Sequence, residues 1–293
     1  VPTAISSLDA TKLAAVPVKL GSQNYNLVTI DFNVGVMSDL TWESSDDVYV
    51  SINQSTGLAT VTISTYNMST LTATYQGWKK TAKVFNPSTE DPLPIPDVAS
   101  LKDFRDAVNN GPAGSYMGVP NVGGFTGKNF KLTSASANYD LSGEENWEPI
   151  GKSSSYPFNG NFYGAGKNVI GLNVDAPEAD NKGLFRYIIG GSINDLNVAG
   201  NVSGKSNVGG ICGYIKGANS DNYSAINNCT FNGNVTAAAS YAGGIAGYNY
   251  YYSTIDTCRV AGSVSAATSY AGGITGYSYG NSSSNIDRDR KSG

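Results

Sequence analysis

SYAGGIAGYN, residues 240–249, returns as SYAGGITGYS at residues 269–278, with Ala246 replaced by Thr275 and Asn249 by Ser278. Aligned on this phrase, the chain gives GLFRY at 183–187, GICGY at 210–214, GIAGY at 244–248 and GITGY at 273–277. A second phrase alternates with it: SINDLNVAGNVSG at 192–204, AINNCTFNGNVTA at 225–237 and TIDTCRVAGSVSA at 254–266. NIDRD at 285–289 begins another copy before a charged tail, and NVIGLNV at 168–174 is an earlier partial one. The second phrase has a period of two. Ile193, Leu196 and Val198 map onto Ile226, Cys229 and Phe231, and then onto Ile255, Cys258 and Val260. Alternation of this kind marks half-buried strands. Val202, Val235 and Val264 extend the set beyond Gly200, Gly233 and Gly262, which are expected to make turns.

Short strands, glycines and a period of about 30 residues predict one solenoid coil per repeat, stacked ~4.8 Å apart so that equivalent side chains lie on one another. Helical repeats are disfavoured, because each interior glycine would cost about 1 kcal/mol and no stretch has the helical period. The pairs Gly209-Gly210, Gly243-Gly244 and Gly272-Gly273 are expected at corners that need positive φ or close backbone approach. No Lys or helix follows them in a phosphate-cradling pattern.

These phrases, and NKGLFRYIIGGSINDLNVAGNVSGKSNVGGICGYI at 181–215 above all, resemble the GLUG repeat of bacterial surface and secreted proteins. FKLTSASANYDLSGEENWEPIG at 130–151 and YPFNGNFYGAGKNVIGLNV at 156–174 are similar to the segment that introduces those repeats, so the likeness spans roughly residues 97–289. It implies a β-solenoid in an adhesin-like protein and no catalytic activity. Arg186 departs from the glycine found at Gly213, Gly247 and Gly276, as expected of an atypical first coil.

Residues 1–88 carry a different pattern. YNLVTIDFNV, DLTWES, VYVSIN, LATVTIS, TLTATYQG and KKTAKVFN are candidate strands separated by Gly, Asn, Asp and Ser. Their order resembles bacterial Ig-like domains of group 2, which implies a β-sandwich with Trp42 in its core and a turn at Ser55–Gly57. NPSTEDPLPIPD at 86–97 predicts a stiff Pro-rich linker over 89–99. The solenoid is then expected over 100–293, right-handed and parallel, with repeats from about 168 to 289. SLKDFRDAVNNG predicts one helix over 100–110, N-capped by Ser100 with Asp103 behind it, whose face of Leu101, Phe104, Ala107 and Val108 closes the solenoid's end.

The chain has no histidine, which removes His-based catalysis, His metal ligands and a His pH switch. Three cysteines are too few and too spread for a zinc cage. Cys229 and Cys258 share a ladder position and are expected as stacked free thiols, since parallel register holds their Cβ atoms wider than the ~3.8 Å of a disulfide; Cys212 is a small filler. Scattered basic residues and a net charge of -4 argue against nucleic acid. No apolar run is long enough to span a membrane. The chain opens on Val1 without a leader, so an exported protein with its signal already removed is the expectation.

Tyrosine is the remaining signal. Tyr248, Tyr250, Tyr251 and Tyr252 crowd GYNYYYST, and Tyr277 and Tyr279 fall in the next copy; Tyr214, Tyr241 and Tyr270 flank related positions. Stacked coils would turn these into an aromatic column, either padding or a contact surface for a glycan or a protein. Acids are sparse beside it. Asp195, Asp221 and Asp256 do not share a column, whereas glycosidases need two carboxylates about 5–9.5 Å apart. Asp140, Glu144, Glu145 and Glu148 are expected to be solvated. No catalytic residue, cofactor or metal ligand is nominated. The expected function is a monomeric, non-catalytic, cell-surface or secreted adhesin-like protein that binds an extracellular protein or glycan. A carbohydrate-binding module using the tyrosines is the alternative, with a polysaccharide-cleaving β-helix enzyme behind it.

Overall fold

A computed structural model describes residues 92–280 and 283–285, together with 14–20, 23–30, 41–45, 50–55, 59–61, 68–75 and 78–85. Residues 56–57 of the expected turn and 286–293 of the tail lie outside the described residues. The chain divides into one unit of Val1–Glu90 with Met117–Val119 and a second of Asp91–Tyr116 and Pro120–Gly293.

The first unit contains two sheets. In one, Ala14–Leu20 pairs antiparallel with Gln23–Ile30 and parallel with Ala59–Val61, which in turn pairs antiparallel with Val50–Ile52. In the other, Thr41–Ser44, Met68–Tyr75 and Trp78–Phe85 form a three-stranded antiparallel sheet. Trp42 is buried, and Gln54 clamps its backbone: Trp42 N–H donates to Oε1 at 3.0 Å and Nε2 donates to Trp42 O at 2.7 Å.

The second unit is a β-solenoid of about five turns. Among the described residues its coils build three main parallel sheets of seven, six and four strands, beside a short corner sheet of Val208–Gly209, Ala242–Gly243 and Ala271–Gly272. The first face stacks Leu93–Ile95, Asn129–Leu132, Asn161–Tyr163, Ser192–Asn194, Ser224–Asn227, Ser253–Asp256 and Ser283–Asn285. The second begins Asn138–Asp140, Asn168–Ala176, Asn197–Gly204 and Thr230–Ala237, and ends with Arg259–Ala261 and Val264–Ala266. The third stacks Phe185–Ile189, Cys212–Lys216, Ala246–Tyr250 and Thr275–Tyr279.

Inward positions pile like on like, as the period-two phrase requires. Phe130, Phe162, Ile193, Ile226 and Ile255 form one ladder through strict register, and Val174, Val202, Val235 and Val264 another. A single coil leaves these edges wet; stacking removes them from water, worth about 1.5–3 kcal/mol per fully buried side chain. Cys229 and Cys258 continue the column of Leu196 as buried free thiols, each directing its Sγ to a backbone carbonyl of the coil before: Cys229 to Ile193 O at 3.8 Å, Cys258 to Ile226 O at 3.5 Å.

Polar ladders run outside the apolar ones. On the first face Asn161 Nδ2 donates to Asn129 Oδ1, Ser192 Oγ to Asn161 Oδ1, Asn194 Nδ2 to Ser192 Oγ and Asn227 Nδ2 to Asn194 Oδ1, all within 3.0 Å. On the second, Asn234 Nδ2 donates to Asn201 Oδ1 at 3.0 Å. These cross-coil amide bonds fix the stacking register.

Gly200, Gly233 and Gly262 lie in one column but do not make turns. Gly200 and Gly233 sit inside continuous strands, and Gly262 interrupts the last one. A Cβ on Gly233, at φ +154°, would lie 1.7 Å from Gly200 O, so the column is glycine because coil backbones meet there. The chain turns instead at Asp195, Asn228 and Thr257, with φ of 54°, 51° and 52°, a conformation Asp and Asn tolerate best. The double glycines follow the close-approach reading: a Cβ on Gly209 or Gly243 would lie 2.1 or 2.0 Å from a carbonyl oxygen of its own coil.

The expected linker and helix start are corrected. Leu93–Ile95 is not linker but the first strand of the first face, with both apolar side chains buried. The helix runs Val98–Asn109, capped by Asp97, whose carboxylate accepts from Ser100 N–H at 2.7 Å; Ser100 is therefore inside the helix. Its apolar face is the expected one, and Phe104 packs on Phe130 at 4.6 Å and Phe162 at 5.7 Å between ring centres, covering the first coils. Glu144, expected to be solvated, pairs with Lys102 of the helix.

Candidate functional site: a tyrosine face

Along the third face Ile215 points inward while Tyr214 and Lys216 point out; one coil on, Asn249 is buried between the outward Tyr248 and Tyr250. Register then generates two columns. Tyr187, Tyr214, Tyr248 and Tyr277 stand in one, with neighbouring ring centres 5.6, 5.5 and 5.3 Å apart. Lys216, Tyr250 and Tyr279 stand in the other; the last two rings are 5.6 Å apart and within 11° of parallel, and the Lys216 ammonium lies 5.7 Å from the Tyr250 ring centre. Tyr241 and Tyr270, 5.9 Å apart, form a third stack at the preceding corner, and Tyr241 bridges to Tyr277 at 5.0 Å.

Tyr251 sets its ring nearly perpendicular to Tyr250 and Tyr279, and Tyr252, at φ +57°, meets Tyr223 edge to face at 5.7 Å. All six sequence-nominated residues, Tyr248, Tyr250, Tyr251, Tyr252, Tyr277 and Tyr279, thus join one surface, together with Tyr214, Tyr241 and Tyr270. Tyr187 and Tyr223 were not nominated. GLFRY places Tyr187 in the column by alignment, whereas Tyr223 carries no repeat signal.

Glycine makes this face possible. A Cβ on Gly213 would lie 2.4 Å from Asn181 C, and one on Gly247 2.1 Å from Asn207 C, the corner of the coil before. Arg186 occupies this place on the first strand of the face, which pairs with the preceding coil only through isolated bridges at Ile150 and Phe158.

Three phenols of the face, Tyr214, Tyr248 and Tyr251, are pushed upward. Burial, with the neighbouring Tyr250, Tyr248 and Tyr187, pushes Tyr214 up to about 12. Burial also raises Tyr248, and a hydrogen bond with Tyr279 raises Tyr251. The face therefore offers uncharged rings and hydroxyls with a single ammonium at its edge.

Carboxylates do not gather beside it. Asp195 is a corner residue whose Oδ1 accepts from Asn228 Nδ2 at 2.7 Å, Asp221 is exposed in a loop, and Asp256 ends a first-face strand. Among the described residues no group of three or more Cys, Asp or Glu is placed to hold a metal ion. No helix of the described residues is long and apolar enough to cross a membrane.

A family model, the GLUG motif, matches residues 238–265. That span is about one coil: it runs through the third-face strand Ala246–Tyr250 and the first-face strand Ser253–Asp256 into the second face. No curated protein and no solved structure matches the chain. The chain is thus a β-solenoid repeat protein carrying the GLUG motif, with its tyrosine face built by the coil that carries the match and its neighbours.

Proposed function

We propose that this is a non-catalytic binding protein of the cell surface or extracellular space, adhesin-like, which presents the tyrosine face to an extracellular protein or glycan. The observation that carries the reading is the clustering of outward tyrosines into contiguous stacks on one sheet. Tyrosine supplies large contact area with two side-chain torsions, and aromatic residues dominate binding hot spots. Rings already locked by their neighbours lose little entropy on binding. In this reading the N-terminal unit is an Ig-like spacer of the group-2 type, supported by its two sheets and the buried Trp42, and the protein acts as a monomer.

Glycan is the second reading, favoured by the rings on the last described coil: Tyr270 and Tyr279 are 62% and 46% exposed, leaving surface on which a sugar could stack. Glycan and extracellular-matrix arrays probed with the wild type and with the Tyr250→Ala/Tyr251→Ala double variant test both readings. Binding that the double variant abolishes supports the face. Release of reducing ends or unsaturated products from polysaccharides would overturn the non-catalytic reading.

A further inference from the structure

A cavity of about 380 Å³ opens on the first face, away from the tyrosine columns, lined by Pro92, Asn129, Lys131, Tyr163, Ala165 and Asp195. It lies within the range of small-ligand sites, about 300–1,000 Å³. We propose that it binds one sugar residue of a neutral glycan, independently of the tyrosine face.

Tyr163 is out of character for its place. Many outward positions of this face carry Asn or Ser, among them Asn129, Asn161, Ser192, Asn194 and Asn227, whose side chains bond to one another in a ladder. Tyr163 sits in the column of Lys131 and Asn194, and its ring makes no aromatic contact among the described residues, unlike the tyrosines of the third face. The corner after it is also longer. Asn194 reaches the next strand through Asp195 and Leu196 alone, whereas Tyr163 is followed by Gly164, Ala165, Gly166 and Lys167 before Asn168. That longer corner raises Ala165 as a wall beside the ring.

Charge completes the site. Lys131 and Asp195 are exposed and are not paired with each other; the ion pairs of the described residues are Lys102–Glu144 and Arg105–Asp106. One Asp195 oxygen is engaged by Asn228, which orients the carboxylate and leaves its other oxygen as an acceptor. An aromatic ring, a balanced ammonium and carboxylate, and an amide suit a pyranose, which has an apolar C–H face and a rim of hydroxyls. The opposed charges give no net field to select an anion or a cation.

The test is ligand-observed NMR and calorimetry on the full chain with neutral hexoses, N-acetylhexosamines and their disaccharides, and with free glycine as a zwitterion. Saturable binding of a neutral sugar is expected. Tyr163→Ala should weaken it by about tenfold or more. Asp195→Asn should weaken it several-fold at an unchanged melting temperature, because Asn228 occupies the same left-handed corner one coil on. Tyr250→Ala/Tyr251→Ala should leave this binding intact, so failure here and failure of the tyrosine face are separate results. No saturable sugar binding, binding undiminished in Tyr163→Ala and Asp195→Asn, or competition by glycine for the same site would each overturn the proposal.

Discussion

A single atom decides the conformation at several positions. Gly233 combines φ +154° with a carbonyl oxygen 1.7 Å from where a Cβ would stand, whereas Gly127, at φ +70°, has nothing within 4 Å. Gly127→Ala should therefore cost only the left-handed penalty of about 1–2 kcal/mol, while Gly233→Ala must also push two coils apart and should leave little folded protein; thermal melts of the two variants check the contrast. Thr257 is the converse case, a β-branched residue at φ +52° where its neighbours in the column are Asp195 and Asn228. Thr257→Asn should raise stability by about 0.5–1 kcal/mol, read as an increased melting temperature. The close-approach glycines were legible as repeated letters, but the role of Gly200, Gly233 and Gly262 was not: a glycine after an alternating run signals a turn and a bend within a strand equally, and only the carbonyl of the next coil distinguishes them.

Strands inherit their register from ladders of unlike chemistry. The apolar ladder was visible in the sequence because a period of two over Ile, Leu and Val has one interpretation in a glycine-rich chain. Asparagine ladders were not, since Asn signals turns as readily as cross-coil amide bonds until strand partners are known. All three thiols are buried: burial raises Cys212 on the third face, and in the cysteine ladder a hydrogen bond with Cys258 together with burial holds Cys229 well above the ordinary range, while the same bond lowers Cys258. All three thiols should resist thiol-reactive reagents in the native protein and react fully in denaturant, a stoichiometry that absorbance titration measures. On the tyrosine face Tyr214, Tyr248 and Tyr251 titrate higher in the folded chain than in the unfolded one. Between the ordinary value of 10.0 and about 12 for Tyr214, the unfolded chain gives up protons that the fold retains. Stability is then full below about pH 10 and falls as pH rises through that window, which melting curves alongside tyrosinate absorbance follow; Tyr214→Phe should flatten the fall.

Coils stack beyond the reach of the sequence repeat. The written repeat begins near residue 168, yet Leu93–Ile95 and Asn129–Leu132 already belong to the first face. The early coils, expected within the solenoid over 100–293, carry no readable repeat because Phe130 and Phe162 fill the ladder where Ile193, Ile226 and Ile255 do later, and because the helix, rather than a preceding coil, covers them. An inward apolar side chain is all that stacking demands, so spacing and identity drift while the architecture persists. For the candidate site, repeat alignment supplied the tyrosine columns, but the first-face cavity depends on one longer corner and on which coil it faces. The whole account requires equivalent side chains of successive coils to touch. Methyl NOE spectroscopy on isoleucine-labelled protein tests this most directly: cross-peaks should link Ile193 to Ile226 and Ile226 to Ile255, residues a full coil apart in the chain, and their absence in a folded sample would contradict the stacked solenoid and the tyrosine face built on it.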